Sequence, residues 1–262
     1  MRYPLITLTT DFGTSDHFVG SMKGVISGIA PGAQVADITH EIAPFGVLEG
    51  AFVIGQAWRT FPPGSIHVVV VDPGVGSARK PILVQAGGQF FVGPDNGVFS
   101  FILREEKHRI RHITAEKYFR RPVSRTFHGR DIFSPVAAHL AAGVKPGRFG
   151  KPLDACILLD NLAPLPAGKN SWQGTIFKQD RFGNLITNFD ARDFGALRKG
   201  HFELVAGKAR ISALRSNFSE GAPGEIFVIE GSSGYFEIAA NQASAAGLLG
   251  CTAGSPVKLK LT

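Results

Sequence analysis

Residues Ile66 to Val71 read IHVVVV, an unbroken run that Asp72-Pro73-Gly74 stops at once. A strand this apolar on both faces needs cover on both faces, which places it inside a sheet sandwiched by helices. The neighbouring segments supply the partners. Leu5 to Thr9 reads as a second buried strand, ending at Asp11-Phe12-Gly13. Asp16 to Ile29 carries Phe18, Val19, Met22, Val25, Ile26 and Ile29 near helical spacing, and Pro31-Gly32 ends it. Val35 to Thr39 predicts a strand, and Val47 to Thr60 a helix closed by Pro62-Pro63-Gly64. Ile82–Gln85 and Phe90–Val92 predict a hairpin around Gly87-Gly88, and Asp131 to Ala142 another helix. This alternation is that of an α/β sandwich with a mostly parallel sheet.

The rhythm changes near residue 160. Residues 161–171 are rich in Pro, Gly and Asn and predict a linker between a domain at 1–160 and a smaller one at 172–262. Short β-like stretches follow at Thr175–Lys178, Leu185–Asn188, Glu203–Val205, Ile226–Ile229 and Tyr235–Ala239. The one good helical pattern lies near Asn241–Leu249. The expectation is a C-terminal β-barrel or sandwich, and the fold class is α/β followed by β-barrel. With 44% hydrophobic and 19% charged residues, disorder is excluded as the dominant state. Two cysteines, Cys156 and Cys251, exclude a disulfide framework or a cysteine-rich zinc module. The N-terminal apolar run is too short for a signal segment, and no stretch reaches the length of a membrane span. These features predict a soluble, cytoplasmic protein.

The formal charge is +7, and most of it comes from Arg104 to Arg130, with nine Lys or Arg against three Glu. Such a segment suits nucleic acid, an anionic substrate, or a solvated face that keeps the protein soluble. No nucleic-acid recognition module accompanies it, which favours the solvated face.

Three polar loops follow predicted strands: Thr9-Thr10-Asp11-Phe12-Gly13, Asp72-Pro73-Gly74-Val75-Gly76 with Arg79 beyond it, and Gly93-Pro94-Asp95-Asn96-Gly97. Open α/β sheets bind ligands outside the carboxyl ends of their strands, so the three make a candidate site, although any one alone reads as a turn. Asp11-Phe12-Gly13 matches the kinase metal-binding tripeptide by chance, since no glycine-rich loop precedes it. There is no phosphate-binding loop and no dinucleotide fingerprint. Thr126-Phe127-His128-Gly129-Arg130-Asp131 precedes a predicted helix. There Asp131 suits an N-cap or first-turn position, and His128 is either a base or hydrogen-bond partner or a surface residue. Eight scattered histidines without paired spacing predict no metal site. Asp180-Arg181-Phe182-Gly183-Asn184 and Glu230-Gly231-Ser232-Ser233-Gly234 read as turns entering strands, the first a hairpin with Asn at positive φ or a polar cluster for a ligand.

Together TTDFG, VDPGVG, GPDNG, TFHGRD, D-x-FGN-x-x-TN and SSGYFEIA resemble the S-adenosyl-L-methionine (SAM) hydroxide adenosyltransferases, relatives of the fluorinating and chlorinating SAM enzymes. The resemblance runs from Thr9 to Asn241 and implies the same two-domain fold. It implies hydrolysis of SAM to adenosine and L-methionine, with SAM as substrate and no cofactor. It also implies a homotrimer whose sites lie between one subunit's N-terminal domain and its neighbour's C-terminal domain. The catalytic triad carries over to Asp72, Arg79 and His128. Asp11 would hold the ribose hydroxyls, and Asp180 and Asn184 the methionine end. Ser232 and Glu237, with backbone near Ala240, would contact methionine and adenine, and Phe45 would lie against the ligand. The halogenating relatives carry an aromatic where Asp72 stands and a Tyr-Ser pair where His128-Gly129 stands, so the resemblance sides with the water-using branch. A SAM- or adenosine-binding protein without turnover, and a halogenase on the same scaffold, are the competing readings.

Overall fold

The computed structural model describes residues 4–160 and 162–262. Asn161, within the expected linker, and the first three residues lie outside the described residues. The chain forms two compact units, Met1–Leu159 and Asp160–Thr262.

The first unit holds strands β1 (Leu5–Thr10), β2 (Gln34–Thr39), β3 (Ile66–Val70), β4 (Pro81–Ala86), β5 (Gln89–Pro94), β6 (His108–His112) and β7 (Pro152–Leu153). They form one sheet in the order β2-β1-β3-β5-β4-β6-β7. β2, β1, β3 and β5 run parallel to their neighbours, whereas the pairs that bring in β4, β6 and β7 are antiparallel. The parallel character therefore belongs to one half of the sheet. The other half turns antiparallel at the hairpin, where Gly87 and Gly88 both take positive φ (55° and 74°) as a two-residue turn requires.

Side-chain alternation along the IHVVVV strand sets up both layers. Val68 and Val70 face a core built with Ile6, Leu8 and Leu83, covered by helix α1 (Phe18–Ile29) through Met22 and Ile26 and by a later helix through Val136 and Leu140. Val69 faces the opposite core with Val84 and Phe91, covered by α2 (Val47–Ala57) through Ile54 and by α3 (Ser100–Glu105) through Ile102 and Leu103. The later helix, α4 (Ser134–Ala141), is entered through a π-helical turn at Gly129–Phe133. The helix expected from Asp131 thus begins as a wider turn, and Asp131 lies inside it rather than capping it. The basic segment is also more than a solvated face: β6 runs through it, Ile110 is buried, and Arg111 donates to the Gly150 carbonyl at 3.2 Å.

The second unit holds β8 (Leu165–Gly168), β9 (Ser171–Gln179), β10 (Leu185–Asp190), β11 (Phe202–Ala206), β12 (Ala209–Ile211), β13 (Leu214–Arg215), β14 (Ile226–Glu230), β15 (Tyr235–Ala240) and β16 (Pro256–Leu261), with one short helix, α5 (Ala245–Leu249). The sheet order is β12-β11-β16-β9-β10-β15-β14-β13, with β8 paired to β9. β12, at one end, contacts β14 near the other, so the sheet curls into an open barrel. Its inward set follows a period of two: Val257 and Leu259 of β16 are buried in the barrel core while Lys258 and Lys260 are exposed. Part of the expected linker is ordered as β8. No helix among the described residues is long and apolar enough to cross a membrane.

One polar network crosses the first unit's core. His67 is fully buried, with Nδ1 2.7 Å from Thr7 Oγ1 and Nε2 2.5 Å from Gln89 Oε1. Gln89 in turn donates to the Trp58 and Phe61 carbonyls. Because Gln89 Oε1 only accepts, Nε2 carries the proton and Nδ1 accepts from Thr7. Burial pushes the His67 pKa from 6.5 down to about 4. The native state then binds fewer protons than the unfolded chain below pH 6.5. His67's contribution is complete above that value and is lost as pH falls through about 4, by up to about 3 kcal/mol. Urea unfolding of the wild type should therefore lose stability between about pH 7 and about pH 4, and His67→Gln should show a shallower loss. Equal pH dependence in the two proteins would contradict this assignment.

Candidate active site

Asp11 follows the end of β1, and Asp72 stands two residues beyond the end of β3. These two strands are adjacent, parallel and in register. Their carboxyl ends open into a pocket of about 290 Å³ whose walls include Asp11, Phe45, Asp72, Phe127, His128 and Gly129.

Arg79 joins two residues of this pocket's wall, Asp72 and His128. Its Nε donates to Asp72 Oδ1 at 3.1 Å, and its Nη2 pairs with Asp72 Oδ2. The same Nη2 lies 2.9 Å from His128 Nδ1. The Asp72 and Arg79 side chains are only 4% and 6% exposed, so the pair is held away from water. Burial raises the Asp72 pKa, and the Arg79 charge pulls against it. Burial and the Arg79 charge lower the His128 pKa, opposed by Asp72 and Asp131. A guanidinium only donates, so His128 Nδ1 accepts and Nε2 carries the proton. Arg79 Nη1 is buried with no hydrogen-bond partner among the described residues.

The local sequence explains this convergence. The Val75 amide bonds the Asp72 carbonyl, and the Ser77 amide the Gly74 carbonyl. Ser77 Oγ then receives the Arg79 amide at 3.2 Å. These tight turns fold Arg79 back onto Asp72. Gly76 takes φ 76°, and a Cβ there would collide with the Arg125 carbonyl oxygen, so glycine lets this loop lie against the segment that carries His128. Asp131 fixes that segment from inside. It is fully buried and accepts from the Ser124 amide at 2.8 Å and from the Arg120 and Arg130 guanidinium groups.

Asp11 Oδ2 accepts the Phe45 amide at 2.9 Å. Phe45 takes a left-handed φ of 66° and is 72% exposed. The third acidic loop expected at the site serves another purpose. Asp95 is buried and accepts the Ile157 amide at 2.8 Å, and Asn96 bonds the Val71 carbonyl and the Val98 amide. Neither lines the pocket.

The remaining candidates lie on the second unit. Asp180 Oδ1 accepts the Phe182 and Asn184 amides, and Asp180 Oδ2 accepts Asn184 Nδ2 at 2.8 Å. The positive φ in this turn belongs to Gly183 (88°), not to Asn184. Asn184 and Ala240 line a pocket of about 590 Å³ together with Phe182 and Phe218. Those two phenylalanines are 79% and 47% exposed and give the pocket an open apolar wall. Phe182 lies within a quoted motif that reads as a turn, and Phe218, 36 positions on, gives no local signal. Glu237 and Ala240 occupy opposite faces of β15, because Ala240 packs in the barrel core and strand neighbours alternate. Burial and the neighbouring Asp180 charge push the Glu237 pKa up to about 7. Gly231 has no room for a Cβ because the Glu237 carboxylate packs there. Ser232 is exposed at the tip of that turn. Among the described residues no group of three or more His, Cys, Asp or Glu is placed to hold a metal.

Comparison with known proteins agrees with this division. The family model for the SAM hydroxide adenosyltransferase N-terminal domain matches residues 6–150, and that for the C-terminal domain matches residues 174–258. A protein of Salinispora tropica named (R)-S-adenosyl-L-methionine hydrolase is 34% identical over 98% of this chain and 97% of its own. One of the same name from Methanocaldococcus jannaschii is 41% identical over 70% of this chain and 66% of its own. A fluorinase of Nocardia brasiliensis is 24% identical over 99% of this chain and 98% of its own. The crystal structure of a conserved Thermotoga maritima protein, 36% identical, superposes with a TM-score of 0.89 over 97% of this chain and 99% of its own. The chain belongs to the SAM hydroxide adenosyltransferase family.

Proposed function

We propose that the protein hydrolyses SAM to adenosine and L-methionine, and that it takes the (R)-sulfonium epimer for which its relatives are named. The observation that carries this reading is the hydrogen-bonded chain Asp72–Arg79–His128, with its Asp72–Arg79 pair buried and Asp72 and His128 lining a pocket that also holds Asp11. In the reaction, a water oxygen bonds to the ribose C5′ as the C5′–S bond breaks. The bonding pair leaves on sulfur, which becomes the neutral thioether of methionine, and one water proton is released. A sulfonium departs without protonation, so the site needs no acid at sulfur and the scheme calls on no cofactor. The difficulty is to align a weak nucleophile in a dry pocket.

The hydrogen-bond pattern supports Asp72 over His128 as the group that receives the water proton. His128 Nδ1 is occupied by Arg79, and its Nε2 bears hydrogen, which suits a donor that orients the water oxygen. Arg79 holds both partners and stabilises hydroxide character as it develops. Asp11 would accept the ribose hydroxyls, with Phe45 lying against the ligand. The exposed Phe182 and Phe218 suit the two faces of a purine, beside Ala240. Asp180, Ser232 and Glu237 would serve the methionine end, and Asn184, which bonds Asp180 and lines the aromatic pocket, belongs to both groups. We place the complete site between the first unit of one subunit and the second unit of its neighbour in a homotrimer. This is supported by the exposure of Phe45 and Phe182, 72% and 79%, which leaves each pocket alone too open for a water-excluding reaction.

Assays with separated (R)- and (S)-SAM should yield adenosine and methionine in equal amounts, with kcat/KM at least about tenfold higher for the (R) epimer. Tight binding of both without product would replace hydrolysis with a binding role. Asp72→Asn keeps the shape of the pair and removes the proton acceptor. Losing the basic carboxylate, while an Asn carbonyl can still accept from Arg79, should lower kcat by about a hundredfold or more while adenosine affinity changes by less than about threefold. Wild-type turnover in this variant would remove Asp72 from the chemistry.

A further inference from the structure

His40 is a buried histidine that the proposed chemistry does not use. It is 6% exposed and lies outside the pocket wall. Its Nδ1 is 2.9 Å from Thr10 Oγ1, and Thr10 Oγ1 also accepts the Phe12 amide at 3.3 Å. Its carbonyl accepts the Gly13 amide at 2.8 Å. On its other side, Nε2 lies 3.1 Å from Asp37 Oδ1 without hydrogen-bond geometry, and Asp37 Oδ2 receives Lys23 Nζ at 2.6 Å. The Thr10–His40–Asp37 order imitates a nucleophile, base and acid, but Thr10 is fully buried and no substrate reaches it.

What the network does hold is the Asp11 turn. Asp11 sits between Thr10 and Phe12-Gly13, and each of these three is tied directly or through Thr10 Oγ1 to His40. Two further bonds close the same unit, from the Ile42 amide to the Thr10 carbonyl and from the Phe45 amide to Asp11 Oδ2. The Asp11 turn and the Phe45 loop are therefore one hydrogen-bonded body, which the His40 ring joins through Thr10 Oγ1 and the His40 backbone through the Gly13 amide. We propose that His40 is a positioning residue that sets the Asp11 carboxylate for recognition of the ribose hydroxyls. This rests on the reading of Asp11 as the ribose contact. A carboxylate that accepts two vicinal hydroxyls tolerates little angular error, and a turn residue gains its angle from the neighbours that pin it.

The test compares adenosine with 2′,3′-dideoxyadenosine by calorimetry on the full chain, for the wild type, His40→Leu and Thr10→Val. Thr10→Val is nearly isosteric and removes only the hydroxyl bridge, so it serves if His40→Leu does not fold. The wild type should prefer adenosine by about tenfold or more. Both variants should cut that preference to about threefold or less, with dideoxyadenosine affinity held within about twofold. A purely structural role would weaken both ligands together and leave the ratio unchanged, and that result would overturn the proposal. A wild type without any preference would instead overturn the ribose reading of Asp11, and the role of His40 with it.

Discussion

A guanidinium that is almost fully buried is tolerable only beside an opposite charge. Arg79 has Asp72 for this and gives a further donor to His128, while its Nη1 has no hydrogen-bond partner among the described residues. Much of the local architecture follows from that requirement. The Pro-Gly-Val-Gly turns bring Arg79 back to Asp72. Gly76 lets their loop touch the backbone ahead of His128, and buried Asp131 stiffens the segment from which His128 projects. Removing Asp72 or Arg79 leaves the other charge buried and unpaired, so these two behave as a unit rather than as separable contributions. The same burial suits the proposed roles: it raises the proton affinity of Asp72, the group proposed to receive the water proton, and lowers that of His128, proposed to donate to the water oxygen.

The sheet supplies the rigidity. β1 and β3 are parallel neighbours with cores on both faces, so the loops leaving their carboxyl ends start from fixed points. Asp11 and Asp72 each lie within two residues of such an end. His128 and Phe45 come from longer connections and are fastened separately, one by Asp131 and Arg79, the other by Asp11 and the His40 network. The second unit follows the same rule with a different scaffold, since Asp180 follows a strand end and Glu237 stands on a strand of the barrel, while Phe182 extends from a turn and Phe218 from a short 3-10 helix, Phe218–Glu220.

What the sequence revealed depended on how local the signal was. IHVVVV was legible because a strand buried on both faces is apolar at nearly every position, and its one polar residue, His67, is hydrogen-bonded through both ring nitrogens. α3 was not, because Ser100–Glu105 is scarcely more than one turn and offers no period to read. β6 was hidden in HRIRH, where one buried isoleucine stands among charges. The acidic loops looked equivalent as sequence, yet Asp95 accepts a backbone amide and braces the fold while Asp11 and Asp72 face the pocket. The identities of Asp72, Arg79 and His128 came from a resemblance of motifs. Their mutual bonding, and hence the histidine tautomer, needed the 49-residue separation between Arg79 and His128 to be closed in space. Phe182 and Phe218 escaped notice because exposure, which makes them unusual, is not written in sequence.

Water held by the Asp72–Arg79–His128 cluster should attack the ribose carbon rather than the methyl or the methionine chain. Turnover of SAM in oxygen-18 water, with products read by mass spectrometry, tests it directly. The account predicts one heavy oxygen at the 5′ position of adenosine and none in methionine. Label in a homoserine product, or adenosine formed without label, would contradict it.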